Sequence, residues 1–287
     1  MVNENNAESF PKNEGASTRG RSEFERTESY SPSGPIRAKI FTRSGDVVVR
    51  SVPGNKLEIT LGTSSANFAH LLDEASIIFD EKRNEVEIHT QNGDRGTRPH
   101  GPTLKMKRSW FDFGGADLDV YVVLPPDSAL DVATVSGDTA INGSMGNVSV
   151  SSVSGDVVAP DSCDALEVRT ASGDVRTGHV RDNFSCRSAS GDVACLGSAA
   201  KTEIVSASGD VIVTAEQPGQ LVVKAVSGDV HVQVARGLAV DVNGRTVSGD
   251  MGTDIDLSGS GDSRDDEELI SIKISTVSGD IRIEKAS

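Results

Sequence analysis

Aromatic residues make up only 4 % of this chain of 287 residues. An interior without large rings has to be filled by aliphatic and small side chains, which suits a narrow core. Cysteine is also scarce. Cys163, Cys186 and Cys195 are too few and too irregularly spaced for a disulfide framework or a zinc site. Cys186 and Cys195 fall on inward strand parities and read as small buried hydrophobes. The five histidines (His70, His89, His100, His179 and His231) are scattered, with no His-x-x-x-His spacing that would suggest a metal centre. No glycine-rich phosphate loop precedes a helix, and no histidine recurs with serine and aspartate as a nucleophile's base would have to. Basic charge is in deficit, with 28 Lys and Arg against 43 Asp and Glu, a net charge of −15. That balance argues against general nucleic-acid binding and favours a soluble, self-repelling chain. No apolar run is long enough for a bilayer, and no signal-peptide core opens the sequence. A cytoplasmic location is therefore expected, with the cell surface as the alternative. No metal or cofactor is expected.

What the chain does have is the tripeptide Ser-Gly-Asp. Its Gly-Asp pairs include Gly45-Asp46, Gly137-Asp138, Gly155-Asp156, Gly173-Asp174, Gly191-Asp192, Gly209-Asp210, Gly228-Asp229, Gly249-Asp250 and Gly279-Asp280. From Gly137 to Gly209 each glycine follows the last by 18 residues, and the later gaps are 19, 21 and 30. Five helical turns would also fit 18 residues, so composition has to decide. Glycine tolerates positive φ, and an aspartate beside it can cap the turn's N–H groups. Each turn is followed by a short alternating run such as Val157/Ala159 or Val211/Val213. Another run precedes the next turn, such as Leu166/Val168 or Ile270/Ile272/Ile274. Alternation at period 2 with β-branched residues is the half-buried strand signal. Each repeat thus reads as turn, strand, variable turn, strand. One unit cannot bury its apolar side alone, whereas stacked units about 4.8 Å apart share a continuous core. The expected fold is all-β, a single-chain β-helix or β-solenoid with about 18 residues per coil.

Two other architectures share that period. Left-handed hexapeptide helices need an aliphatic residue every six positions, but six-residue steps from Val157 land on Cys163 and Arg169. Calcium-binding nonapeptide rolls carry glycine and aspartate in both turns of a coil; here only one turn does. The roll is half matched.

In chain order, residues 1–30 are polar and read as a disordered tail, because nothing there repays ordering. The solenoid is assigned to 31–287, with irregular N-terminal coils over 31–129 and regular Ser-Gly-Asp coils over 130–287. Strands are expected at Ile36–Thr42, Val47–Val49, Leu57–Leu61, Ser76–Phe79, Glu85–His89 and Asp117–Leu124. Phe68, Leu71 and Leu72 stand at helical spacing after Ser64 or Ser65, a plausible N-cap. The short helix they imply would shield the first coil's open edge. Between Gln91 and Gly115, Arg95, Arg98, Lys105, Lys107 and Arg108 occur with no acidic residue between them, followed by Trp110, Phe111 and Phe113. This basic loop is the best candidate contact surface on composition alone. Ser258–Glu268 is an acidic, solvated loop. Ile281–Ile283 reads as a final half-coil, with Arg282, Glu284 and Lys285 discouraging edge-to-edge growth.

Val122-Val-Leu-Pro125 followed by Leu130-Asp-Val-Ala-Thr-Val-Ser-Gly-Asp138 and serial Ser-Gly-Asp-Val copies resembles the bacterial putative-adhesin family of β-strand repeat proteins. The resemblance covers Ile36 to the C-terminus. It implies a right-handed single-chain β-helix and brings no catalytic residue with it. The function expected is a non-enzymatic scaffold presenting a surface to a protein or glycan. A calcium-stabilised roll is one alternative. A polysaccharide-active enzyme is another, since stacked aspartates can imitate its carboxylates. Aspartates about 5 Å apart would repel by about 1 kcal/mol per neighbouring pair in water, so each needs a local donor.

Overall fold

In the computed structural model, which describes residues 22–90, 117–159, 161–255 and 268–286, the alternating runs become 22 strands. The first part holds β1 (Phe24–Tyr30), β2 (Arg37–Phe41), β3 (Val47–Ser51), β4 (Leu57–Thr63), helix α1 (His70–Glu74), β5 (Ser76–Asp80) and β6 (Glu85–His89). The middle holds β7 (Asp119–Leu124), β8 (Ala129–Ala133), β9 (Thr139–Asn142), β10 (Ser144–Ser154), β11 (Val157–Val158), β12 (Ser162–Ser172) and β13 (Val175–Ser188). Then come β14 (Val193–Gly197), β15 (Lys201–Ser208), β16 (Val211–Ala215), β17 (Gly219–Ser227) and β18 (Val230–Val234). The last four are β19 (Ala239–Ser248), β20 (Met251–Thr253), β21 (Leu269–Ser278) and β22 (Ile281–Lys285).

These strands form two long ladders on either side of one core, a β-solenoid-like arrangement. The strands after the turns pair in parallel in the order β7-β3-β9-β11-β13-β14-β16-β18-β22-β20. The strands before the turns pair in the order β6-β2-β8-β10-β12-β13-β15-β17-β21-β19. In the regular region Val157 pairs with Val175, Val175 with Val193 and Val193 with Val211, each 18 positions on. β13 is long enough to serve both ladders. At the bend before its second half, Met145, Cys163 and Val180 stack in register, all buried. Phe184, 0 % exposed, is the only aromatic ring fully buried among the described residues.

Spatial order departs from chain order at both ends. The β2–β3 rung sits between β6–β7 and β8–β9, and the β21–β22 rung sits between β17–β18 and β19–β20. The final half-coil is thus an interior rung, and the edge-blocking role expected of Arg282, Glu284 and Lys285 is corrected. Burial gives the reason. Ile270, Ile272, Ile274, Ile281 and Ile283 are bulky, inward and about as buried as any residue, at 1 % exposure each. β19 offers only Val240, Val242, Gly244 and Thr246 inward, the smaller loss if left at the end.

The other end is closed by antiparallel strands: β5 on β6, β4 on β7, and β1 on β4. This corrects two expectations. Phe24–Tyr30, read as part of a disordered tail, is an edge strand whose register with β4 runs from Phe24↔Thr63 to Tyr30↔Leu57. Its alternation places Phe24, Arg26, Glu28 and Tyr30 on the half-buried face, and two charges among those positions hide the pattern from a hydropathy reading. Residues 1–21 lie outside the described residues. The expected helix forms, but most of the edge is covered by strands. A 3-10 turn at Ala66–Phe68 precedes it, and Ser65 makes no side-chain cap. Helix α1 is held instead by Arg26, whose Nη1 donates to the carbonyls of Leu72 and Ala75 at 2.8 and 2.9 Å.

Candidate interaction surface

The recurring polar chemistry collects along the corner where each rung turns. Each turn glycine has positive φ, for example +118° at Gly173 and +113° at Gly191. There is a second constraint. A Cβ on Gly173 would overlap the carbonyl oxygen of Gly155, and one on Gly191 would overlap that of Gly173. The turns are stacked so closely that only a hydrogen fits between them.

Each aspartate of the row except the terminal Asp250 accepts a hydrogen bond from the next rung, not from its own turn. The backbone N–H of Asp46 donates to Oδ1 of Asp119, that of Asp138 to Asp46, that of Asp156 to Asp138 and that of Asp174 to Asp156. The series continues from Asp192 to Asp174, Asp210 to Asp192, Asp229 to Asp210, Asp280 to Asp229 and Asp250 to Asp280. All nine bonds are 2.8–3.0 Å. The backbone carbonyl of each aspartate serves the opposite neighbour: Val157 N–H donates to Asp174 O at 2.8 Å, and Val175 N–H to Asp192 O at 2.8 Å. Charge-assisted bonds to backbone N–H groups offset the mutual repulsion of the stacked carboxylates. The local Asx-turn expected from the tripeptide is replaced by this inter-rung ladder. It also records the spatial order, since Asp280 stands between Asp229 and Asp250.

Sequence reasoning missed two members. Asp119 starts the ladder without a Ser-Gly before it. Two positions ahead of several of the turn serines, a small hydroxyl caps the corner from inside: Thr134 donates to Ser136 O, Ser152 to Ser154 O, Thr170 to Ser172 O, Ser188 to Ser190 O and Thr276 to Ser278 O. Ser206 stands at the same spacing with its hydroxyl buried and unpartnered, and before Ser227 the position is Ala225. The recurrent Ser or Thr at that spacing was a readable signal. Outside the corner, a row of Val and Ala lies exposed beside the carboxylates, from Val153 through Ala171, Ala189 and Ala207 to Val226, Val277 and Val247.

The three cysteines are buried and free, and burial pushes each thiol up to about 12. They are protonated at neutral pH and poor nucleophiles. Among the described residues, no group of three His, Cys, Asp or Glu side chains is placed to hold a metal ion. No helix among them is long and apolar enough to cross a membrane. The basic-loop residues Arg95, Arg98, Lys105, Lys107, Arg108 and Trp110 lie outside the described residues, as does the acidic loop up to residue 267.

A family model described as Toastrack DUF4097 matches residues 79–284. The chain belongs to the toastrack family. The match takes in Val122–Pro125 and Leu130–Asp138, the residues that carry the resemblance to adhesin-like repeats. No match is found among curated proteins. Among solved structures, this toastrack chain is similar to a putative adhesin from Bacteroides fragilis, at 13 % identity and TM-score 0.47, covering 91 % of this chain and 98 % of that one. It is also similar to a putative lipid binding protein from Parabacteroides distasonis, at 15 % identity and TM-score 0.45, covering 93 % and 98 %. A third is a putative cell adhesion protein from Clostridium sporogenes, at 13 % identity and TM-score 0.31, covering 91 % and 99 %. At these identities and scores the likeness assigns no residue a role.

The ladder has a direct test. Asp174→Ala removes one acceptor from an exposed donor that water can serve, so a loss of about 1 kcal/mol is expected. Asp174→Asn keeps an acceptor oxygen and should lose less than half of that. Chemical denaturation of both variants checks it, and thermal melts of the parent compare chelator with millimolar calcium. A calcium-dependent rise of about 10 °C in Tm would instead make the row a metal site.

Proposed function

We propose that this toastrack chain is a non-enzymatic β-solenoid scaffold that presents a binding surface to a protein or glycan. Its coil is about 18 residues and right-handed, the hand that crossovers between parallel strands of one sheet take. One observation carries the reading. The chain's most repeated functional group, the turn aspartate, is engaged from Asp119 to Asp280 in holding one rung to the next. Carboxylates used in that way build a platform and leave the chemistry of contact to other residues. We assign the contact to Arg95, Arg98, Lys105, Lys107, Arg108 and Trp110, whose composition departs most from the scaffold's.

The test passes the full chain over immobilised polysaccharides and proteins and measures both retention and newly formed reducing ends. Saturable retention without new ends is expected, weakened at least about tenfold when the five basic residues become glutamine. New reducing ends would overturn the non-enzymatic reading, and unchanged retention would move the contact elsewhere. The location proposed is the cytoplasm, with the cell surface as the alternative. Protease treatment of intact cells followed by fractionation separates them, and protein found solely in the cytosol would exclude surface adhesion.

A further inference from the structure

The two ends of the stack are finished differently. At the β6–β7 end, antiparallel strands extend both ladders, and α1 packs Leu72 into the core. At the other end the last rung is β19–β20, which pairs with β21 and β22 on one side and with no described strand on the other. The inward residues of this rung are the least covered of any. Val240 and Val242 are only partly buried, and Met251 is 56 % exposed where its register partner Ile281 is 1 % exposed. Val247, beside them, is 76 % exposed. A parallel edge of this length, on which no described strand lies, is a template for another strand.

We propose that the open edge of β19 pairs antiparallel with β19 of a second copy of this chain, joining two stacks end to end about a twofold axis at Asn243. The backbone fixes the parity. Ala239 N–H donates towards the β21 side, to Glu268 O, so Val240, Val242, Gly244 and Thr246 direct their N–H and C=O groups to the open edge. An antiparallel partner must therefore pair even positions with even positions. Among such registers, the one centred on Asn243 sets Asp241 opposite Arg245 of the second copy, and Arg245 opposite its Asp241. Shifting the centre by one residue either way sets Arg245 against Ala239, or Asp241 against Val247. Asp241 and Arg245 lie on the exposed face, directly beside the uncharged Ser271 and Ser275 of β21, with Lys273 of that strand diagonal to both. The same register covers Val247 with Ala239 and brings Val240 against Thr246 and Val242 against Gly244. Two identical surfaces that complement each other in charge, size and hydrogen-bonding parity fit an isologous dimer. The partner is thus a second copy rather than an unrelated peptide. A single strand edge is a small interface, so the dimer belongs to the weak class.

Sedimentation velocity of the full chain from about 1 to 100 µM, at about 0.15 M salt where long-range repulsion is screened, tests the proposal. A concentration-dependent dimer is expected. Asp241→Arg and Arg245→Asp should each weaken it at least about tenfold, since each places like charges opposite one another twice. The double variant Asp241→Arg/Arg245→Asp should restore it, as should mixing the two single variants. Far-UV circular dichroism of each variant should match the parent, because both positions are exposed. A monomer at every concentration would overturn the proposal. So would a dimer indifferent to these charges, which would have to use another surface.

Discussion

Replacing Gly173 by alanine is expected to destabilise the protein by about 4 kcal/mol, roughly 10 °C in Tm for a chain of this size. Two costs add at this position. A side chain at φ +118° is strained by about 1–2 kcal/mol. The new Cβ would also overlap the Gly155 carbonyl, which is held in its own stacked turn and cannot move without parting two rungs. Gly54 separates these costs. Its φ is +113°, yet a Cβ there meets nothing within 4 Å. Gly54→Ala should therefore cost only about 1 kcal/mol. Thermal melts of the two variants read the difference directly. Equal losses would mean that the turns are not stacked glycine over carbonyl.

The second large effect comes from deletion. Removing Gly155–Ser172 joins Ser154 to Gly173 and regenerates a Ser-Gly-Asp turn. The strands beyond the junction keep their parity, because register partners here lie 18 residues apart. Asp174 N–H would then donate to Asp138, and Val175 would pair with Thr139. A folded, shorter protein that has lost one rung's burial is expected. Removing Gly155–Cys163 instead deletes half a repeat. It joins a turn serine to the middle of β12 and shifts strand parity by an odd number, which turns apolar side chains to solvent. That variant should aggregate or unfold. Circular dichroism with size-exclusion chromatography compares them. Equal tolerance of the two deletions would refute a stack with this register.

Much of the architecture could be read from the chain because one structural need recurs with one residue answer. Stacked turns accept glycine alone, inward positions accept Val, Ile or Leu, and the spacing of Gly137 to Gly209 repeats both at constant interval. Legibility failed where a residue's role depends on which rung lies next to it. The aspartates looked like caps for their own turns, since the tripeptide contains nothing about the neighbouring N–H. Phe24–Tyr30 looked unstructured because its pairing is with Leu57–Thr63 and its face carries Arg26 and Glu28. The interleaving of β21–β22 before β19–β20 follows from which rung buries more, a comparison that no local pattern makes. The contact loop was chosen on composition alone, and composition says where a surface differs without saying what it holds.

The rungs stack in a spatial order that departs from chain order, and cross-linking measures that order directly. Ser227 pairs with Ser278, and Ser278 with Ser248, which puts Val226 beside Val277 and one strand spacing further from Val247. All three are exposed, and the native cysteines are buried. Under mild oxidation, Val226→Cys/Val277→Cys should close a disulfide rapidly, as should Val247→Cys/Val277→Cys. Val226→Cys/Val247→Cys, about 9.6 Å apart across two strand spacings, should not. Rapid closure of the Val226–Val247 pair, with the Val226–Val277 pair left open, would mean that the rungs follow chain order and would contradict the account.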